Sequence, residues 1–414
     1  MNRLPSLALA LLLAASLAAQ EPTGPSRPNR PRGRRTLVQP PMYPATPDAD
    51  GNHVNAHGGC IIAYNGEWLW YGEARPLHGY TSEGVSLYTA PIGTQPSSDD
   101  STAAPSPLNL RWQNRGVVLQ VVDEAGSPIE RGCIIERPKV LYNERTRQFV
   151  MLFHSELKGR GYEAAQTGFA VSDSPYGPFR LHHVQRPNPG RWPADFTKKD
   201  IKQAKALNPS DYPEWWTPTW RMAVEQGLLL AKDFEAGQMS RDMTVFVDDD
   251  GTAWHIYSSE ENLTLQAAEL TPDYLGYTGR YYRIAAGGQN EAPCLLKHDG
   301  LYWLICSGCT GWTPNEARMF SAKSIQGPWT QHPSPMQGLG ANRTFEAQGT
   351  WIWQLPATPS SDSTTAPTTN STSTPTSAPQ LYFMADVWIP RSLAISRHLC
   401  LPITFEGAVP VIRK

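Results

Sequence analysis

One hairpin-like unit recurs five times along the 414-residue chain, and this recurrence constrains the fold more than any other feature. Each copy reads as a polar residue, an apolar run, a tight turn and an aromatic-rich second run. The copies span 57–66, 136–145, 242–251, 291–300 and 348–356. In three of them the polar residue stands nine positions before the turn glycine: His57 to Gly66, Asp242 to Gly251 and Glu291 to Gly300. Asn-Gly and Asp-Gly between such runs are strong hairpin signals. The second runs fall at 68–71, 149–153, 254–257, 302–305 and 381–385. Helical periodicity is scarce. Similar β units on a helix-poor chain predict an all-β, five-bladed β-propeller, in which blades of about four strands surround a channel. A β-sandwich of several hairpins competes with this reading, and the shared register argues against it.

Around the repeats, residues 1–20 read as a secretory signal: a basic start at Arg3, an apolar run from Leu7 to Leu17 too short to span a bilayer, then small residues. The mature protein is therefore expected to be secreted, extracellular or periplasmic. Residues 21–45, rich in Pro and Arg, are expected to be a disordered lead-in, and 46–414 the propeller. A polar insertion at 97–107 and a Ser/Thr/Pro-rich loop at 358–379 interrupt blades one and five. A third insertion, 187–237, carries Trp192, Trp215, Trp216 and Trp220 and is expected to cover part of the propeller face. Its segment 197–206 is the one stretch read as helical. Cys306 and Cys309 have the spacing of half a zinc site, but no second pair completes a set, so the six cysteines are read as packing beside strands. The formal net charge of -2 gives no reason to expect nucleic acid or an anionic membrane as partner.

In a propeller the innermost strands face the channel, so equivalent repeat positions converge. Here they supply His57, Glu136, Asp242, Glu291 and Gln348. Three carboxylates in one cavity repel one another, which raises the pKa of at least one and keeps it protonated as a general acid. Two carboxyl groups flanking a glycosidic bond suit glycoside hydrolysis, with acid and base about 6.5–9.5 Å apart if water attacks directly. The competing reading is a structural ion network, since Arg137, Lys139 and Arg241 adjoin these acids.

Several longer motifs carry a resemblance. They are Val54-Asn-Ala-His-Gly-Gly59 with Trp70-Tyr-Gly-Glu73, Ile135-Glu-Arg-Pro-Lys139, Ala170-Val-Ser-Asp-Ser-Pro-Tyr-Gly-Pro-Phe179, Ser240-Arg-Asp-Met243 with Ser258-Ser-Glu-Glu-Asn262, Asn290-Glu-Ala-Pro293 and Ser307-Gly-Cys-Thr-Gly-Trp312. In this order, over about residues 50–410, the chain resembles glycoside hydrolase family 43, and most of all its exo-β-1,3-galactanase branch. The resemblance implies a five-bladed propeller, Glu291 as general acid and Asp242 as the residue that tunes and orients it. The blade-one Asp that is normally the base is replaced by His57. In the galactanase branch a blade-five Gln is thought to act as base through its imidic acid tautomer, which falls on Gln348. Glu136 would then bind sugar or assist. Glu136 and His57 stay open as alternative bases. Glu73, Tyr162, Asn262 and Thr310 look like sugar-binding positions, and Trp312 like a stacking platform.

The reading is thus an inverting, exo-acting β-1,3-galactanase that releases galactose from galactan or arabinogalactan, acting as a monomer. An α-L-arabinofuranosidase or β-xylosidase on the same fold is the alternative, as is a non-catalytic carbohydrate-binding propeller. The chemistry requires no cofactor. A structural Ca2+ in the channel is left open, without an EF-hand-like loop to support it.

Overall fold

The computed structural model describes residues 43–93, 107–355 and 379–414. The expected signal, nearly all of the lead-in and nearly all of the 358–379 loop lie outside these residues. Five antiparallel sheets form the blades. Blade one holds β1 (His57–Tyr64), β2 (Glu67–Ala74), β3 (Gly84–Pro91) and β4 (Gln113–Gln120) in spatial order. Blade two repeats this with β5 (Ile134–Asn143), β6 (Gln148–Glu156), β7 (Gln166–Ser172) and β8 (Arg180–Gln185). Blade three is β9 (Met243–Val247), β10 (Ala253–Ser259), β11 (Thr264–Leu270) and β12 (Tyr277–Ile284). Blade four is β13 (Asn290–His298), β14 (Leu301–Gly308), β15 (Arg318–Ala322) and β16 (Thr330–His332). A short β17 (Met336–Gln337) precedes blade five, which runs β18 (Gln348–Leu355), β19 (Gln380–Val387), β20 (Arg397–Glu406) and β21 (Val409–Arg413). β17 adds to β21 in parallel, at the outer edge.

The inner strands close a ring: β1 packs on β5, β5 on β9, β9 on β13, β13 on β18 and β18 on β1. The five-bladed propeller expected from the repeats is therefore the observed architecture. The repeat turns form as their residues dictate. Asn65-Gly66 and Asp299-Gly300 both have positive φ at each residue, the signature of the type I′ turn that matches strand twist. Side chains fill the spaces between blades. At the seam of blades one and five, Trp68, Trp70, Trp353, Tyr382 and Met384 form one buried cluster, with Trp68 edge-on to Trp353 at 4.9 Å. The seam is further bonded from Trp351 Nε1 to Ile61 O (3.0 Å) and from Thr350 Oγ1 to Gly59 O (3.2 Å).

Four of the inner strands share a feature that the sequence did not announce. Each carries a β-bulge beside its repeat residue: in β1 after His57, in β5 after Glu136, in β13 after Glu291 and in β18 after Gly349. The following residues in the first three strands, Gly58, Arg137 and Ala292, have φ of 61°, 52° and 53°. A bulge bends the strand and re-aims its side chains, so Glu136, Glu291 and Gln348 turn into the mouth of the ring. Gly58 is required where it stands: a Cβ there would lie 2.1 Å from Glu73 Oε1.

The insertion after β8 folds as three helices, not one. The expected helix is α1 (Lys198–Ala206), closed by a capping box between Thr197 and Asp200. α2 (Pro218–Glu225) and α3 (Leu228–Lys232) were not read from the sequence. They are too short for propensity to show and stand on burial of Trp220, Leu228, Leu229 and Leu230. Thr217-Pro218, an N-cap followed by proline at N1, was the available signal for α2.

Candidate active site

A cavity of about 820 Å3 opens at the channel mouth, and four repeat residues line it: Glu136, Asp242, Glu291 and Gln348. The hub among them is Arg137, the bulge residue of β5. Its guanidinium forks onto Asp242, Nε to Oδ1 at 3.1 Å and Nη2 to Oδ2 at 2.9 Å. It also donates to Gln348 Oε1 (2.5 Å) and to Gly349 O (3.0 Å), and so ties blades two, three and five together. The ion network that competed with catalysis in the sequence is present, and it frames the cavity instead of replacing it.

Glu291 sits where burial and a neighbouring carboxylate both favour its proton. Burial, and then the nearby charge of Asp242, push its pKa up to about 8, so it holds its proton at neutral pH. Gln348 Nε2 donates to Glu291 Oε1 (3.3 Å) and to Ser307 Oγ (3.1 Å). The amide oxygen accepts from Arg137 and from Trp388 Nε1 (2.9 Å). Guanidinium and indole N–H groups can only donate, so the amide orientation is fixed by its partners.

Glu136 is the opposite case. Burial works to raise its pKa, but a hydrogen bond from His154 and the charge of Arg75 outweigh it and hold the carboxyl well below the usual range. Oε1 accepts from Arg75 (2.9 Å) and Tyr162 (2.8 Å), and Oε2 faces His154 Nδ1 (3.1 Å). Burial opposes charge on His154, yet its bonds to Glu136 and Glu156 lift the imidazole to about 9. Glu73 lines the cavity but is 1% exposed; both its oxygens are taken, by Arg75 and by the Arg137 backbone N–H. It props Arg75 and the bulge, which leaves it little capacity for a sugar hydroxyl. Tyr162, Asn262 and Trp312 line the cavity as expected.

Two expected positions do not. His57 is fully buried: its Nδ1 faces Asp386 Oδ1 at 3.2 Å and its ring stacks on His398 at 4.5 Å. Asp386 of blade five captures it, so it neither contacts sugar nor acts as base. Thr310 lies outside the cavity, donating to Thr313 O (2.5 Å) and accepting from Asn315 Nδ2 (2.7 Å). Its neighbour Cys309 faces inward beside Glu291, and burial with the nearby carboxylate pushes that thiol up to about 12. Arg75, His154 and Trp388 were not singled out from the sequence, and Cys309 was read there only for its spacing from Cys306 and as packing beside a strand. They lie off the repeat position, and only the folded register brings them in. The insertion supplies Lys232 and Asp233, as its expected place over the face requires.

Cys60, Cys133, Cys294, Cys306 and Cys309 are free thiols, and Cys306 is buried while Cys309 faces the cavity. His57, Asp386 and His398 offer three metal-ligating atoms within 4.8 Å. The two imidazoles are almost parallel, at 14°, and their lone pairs lie in the ring planes, so they cannot aim at one ion. In the channel the buried ammonium of Lys139 donates to the carbonyls of Gly58 (2.7 Å) and Arg137 (3.2 Å).

Residues 204–349 match the model of glycosyl hydrolases family 43. Among solved structures, the chain is similar to a family-43 β-1,3-galactosidase determined with galactodeoxynojirimycin, at 46% identity and a TM-score of 0.77, covering 90% of this chain and 97% of that one. It is similar to an exo-β-1,3-galactanase from Clostridium thermocellum at 29% identity and a TM-score of 0.64, covering 89% of this chain and 63% of that one. The exo-β-1,3-galactanase of Phanerochaete chrysosporium, solved with β-1,3-galactotriose, shares 26% identity with a TM-score of 0.63, over 89% of this chain and 65% of that one. The chain thus spans less than two thirds of those two proteins. A β-D-galactofuranosidase of Aspergillus niger is 30% identical over 123 residues, 27% of this chain and 35% of that protein, so the chain spans about a third of that curated relative.

Proposed function

The chain belongs to glycoside hydrolase family 43, and we propose that within it this protein is an exo-acting β-1,3-galactanase, releasing galactose from β-1,3-galactan or arabinogalactan with inversion at the anomeric carbon. The observation that carries the reading is a carboxyl, Glu291, protonated at neutral pH in a cavity where two other repeat acids, Glu136 and Asp242, are salt-bridged. The β-1,3-galactan specificity is taken from the family-43 proteins described above.

In this mechanism Glu291 gives its proton to the glycosidic oxygen as the bond from that oxygen to C1 breaks. A water forms the new bond to C1 from the opposite face. Inversion needs about 6.5–9.5 Å between acid and water-activating group, so the 3.3 Å contact between Glu291 and Gln348 must open when sugar binds. An imidic acid form of Gln348 would place a hydrogen on the oxygen at which Arg137 and Trp388 now point, so it requires those donors to turn away. With the donors in place, Gln348 orients the water. The water's proton becomes acidic as its bond to the oxocarbenium-like C1 forms, and it passes to solvent in the cleft. Asp242 keeps Glu291 protonated, and Glu136 with Tyr162 forms the polar wall against the sugar.

The test is digestion of β-1,3-galactotriose followed by proton NMR within the first turnovers. Galactose should appear first as the α anomer. Early β-galactose refutes single displacement, binding without release establishes the binding-only reading, and preference for aryl arabinofuranosides or xylosides moves the substrate.

A further inference from the structure

A second cavity, of about 430 Å3, adjoins the catalytic cleft and shares Gly311, Trp312, Gln348 and Trp388 with it. Trp312 and Trp388 meet edge-to-face at 5.7 Å and border both spaces. The two cavities are therefore neighbours across the Gln348 amide and two indoles, where a sugar carrying a substituent could reach both. Indole faces stack on the C–H faces of sugar rings.

The wall of this second cavity is built at a conformational cost. Thr344, Phe345 and Glu346 have successive φ of 50°, 56° and 67°, a left-handed run that non-glycine residues rarely adopt. It is held by burial of Phe345, by the bond from Tyr43 Oη to Phe345 O (2.6 Å) and by that from Thr344 Oγ1 to Asn315 O (2.8 Å). The run presents Glu346 to the cavity with Arg343, and these two neutralise each other through a fork, Nε to Oε1 and Nη2 to Oε2. Arg397, at the start of β20, is different. Its guanidinium meets the carbonyl of Ile395, and no carboxylate among the described residues pairs with it. The cavity thus combines aromatic walls with one uncompensated cation.

We propose that this cavity is a subsite for a uronic acid unit attached to the galactose in the catalytic cleft, with Arg397 receiving its carboxylate. This rests on the galactanase reading above. A guanidinium suits a carboxylate because two parallel N–H donors match its two oxygens. A neutral branch would gain the stacking but leave Arg397 without a partner. The subsite gives the enzyme a preference for acid-decorated chain ends, which it releases as an acidic disaccharide.

The experiment compares three substrates: β-1,3-galactotriose, the same trisaccharide with a glucuronosyl group on the 6-hydroxyl of its terminal galactose, and the same with a neutral glucosyl group there. Arg397→Gln should lower kcat/KM for the glucuronosyl substrate by about tenfold, the scale of one charge-assisted hydrogen bond, and leave the other two within about twofold. An equal loss on the glucosyl substrate, or no loss on the glucuronosyl one, overturns the proposal. If the native protein cleaves none of the three, the galactanase reading fails instead. The subsite is then tested by calorimetric binding of the free glucuronosyl-galactose disaccharide. Binding that Arg397→Gln abolishes supports it; absent or unchanged binding overturns it.

Discussion

Replacing Asp242 by Asn separates the charge of this side chain from the space it fills. That charge is the second cause, after burial, of the high pKa of Glu291. Two unit charges about 6 Å apart at an effective dielectric of about 20 interact by ~2.8 kcal/mol, or ~2 pKa units. Arg137 acts in the same direction, because Asp242→Asn leaves its guanidinium without the carboxylate that now neutralises it. The pKa of Glu291 should thus fall from about 8 by ~2 units. At pH 7 the protonated fraction would drop from about nine tenths to about one tenth, while at pH 5 it would stay near about nine tenths. The measurement is kcat/KM for β-1,3-galactotriose across pH 4–9, whose alkaline limb reports the acid of the free enzyme. The native limb is expected near pH 8 and the variant limb near pH 6, with a roughly tenfold deficit at pH 7 that closes by pH 5. An equal deficit at both pH values, with the alkaline limb unmoved, would refute the assignment of Asp242 as the residue that tunes Glu291.

Glu291→Gln should abolish hydrolysis while galactose still binds by calorimetry; near-normal turnover sinks the acid role. Because the folded pKa of Glu291 is raised, its protonation favours the native state, and that stability is lost as pH rises from about 4.5 through about 8. The Tm of Glu291→Gln should therefore gain on the native chain across this window, and a gap constant with pH contradicts the shift. Gln348→Ala should cost about 10²- to 10⁴-fold in kcat and exceed the loss in Glu136→Gln; the reverse ranking returns the base to Glu136. Gly58→Ala should destabilise by more than about 1 kcal/mol, read as a lowered Tm, since its φ is 61° and the added carbon meets Glu73; an unchanged Tm argues against the tight bulge.

The ring of hairpins was legible because it is written in local signals, turn dipeptides and a fixed distance from polar residue to glycine. The convergence of Glu136, Asp242, Glu291 and Gln348 followed from that register alone. The fate of His57 did not, because the residue that captures it, Asp386, stands 329 positions away. The Thr310 misplacement has a similar cause: which of two adjacent loop residues faces inward depends on turn geometry, and the loop turned Cys309 to the acid. Arg137 was visible only as a nearby charge. Its reach to Asp242 and Gln348 depends on the bulge, which needs the partner strand to define it. Arg75, His154 and Trp388 come from second strands or loops, where no repeat position marks them.

Each blade is folded from one continuous stretch, so most of its pairings join residues near in sequence, whereas the seam between blades one and five joins the most distant ones. Closing so long a loop is entropically late, which makes the seam the natural last step of folding. The bonds of Arg137 to Gln348 and Gly349 cross from blade two to blade five and depend on that closure. Catalytic turnover is then a clock for the final event: in refolding chains, activity should return in step with burial of the seam tryptophans Trp68, Trp70 and Trp353, as the circle shuts.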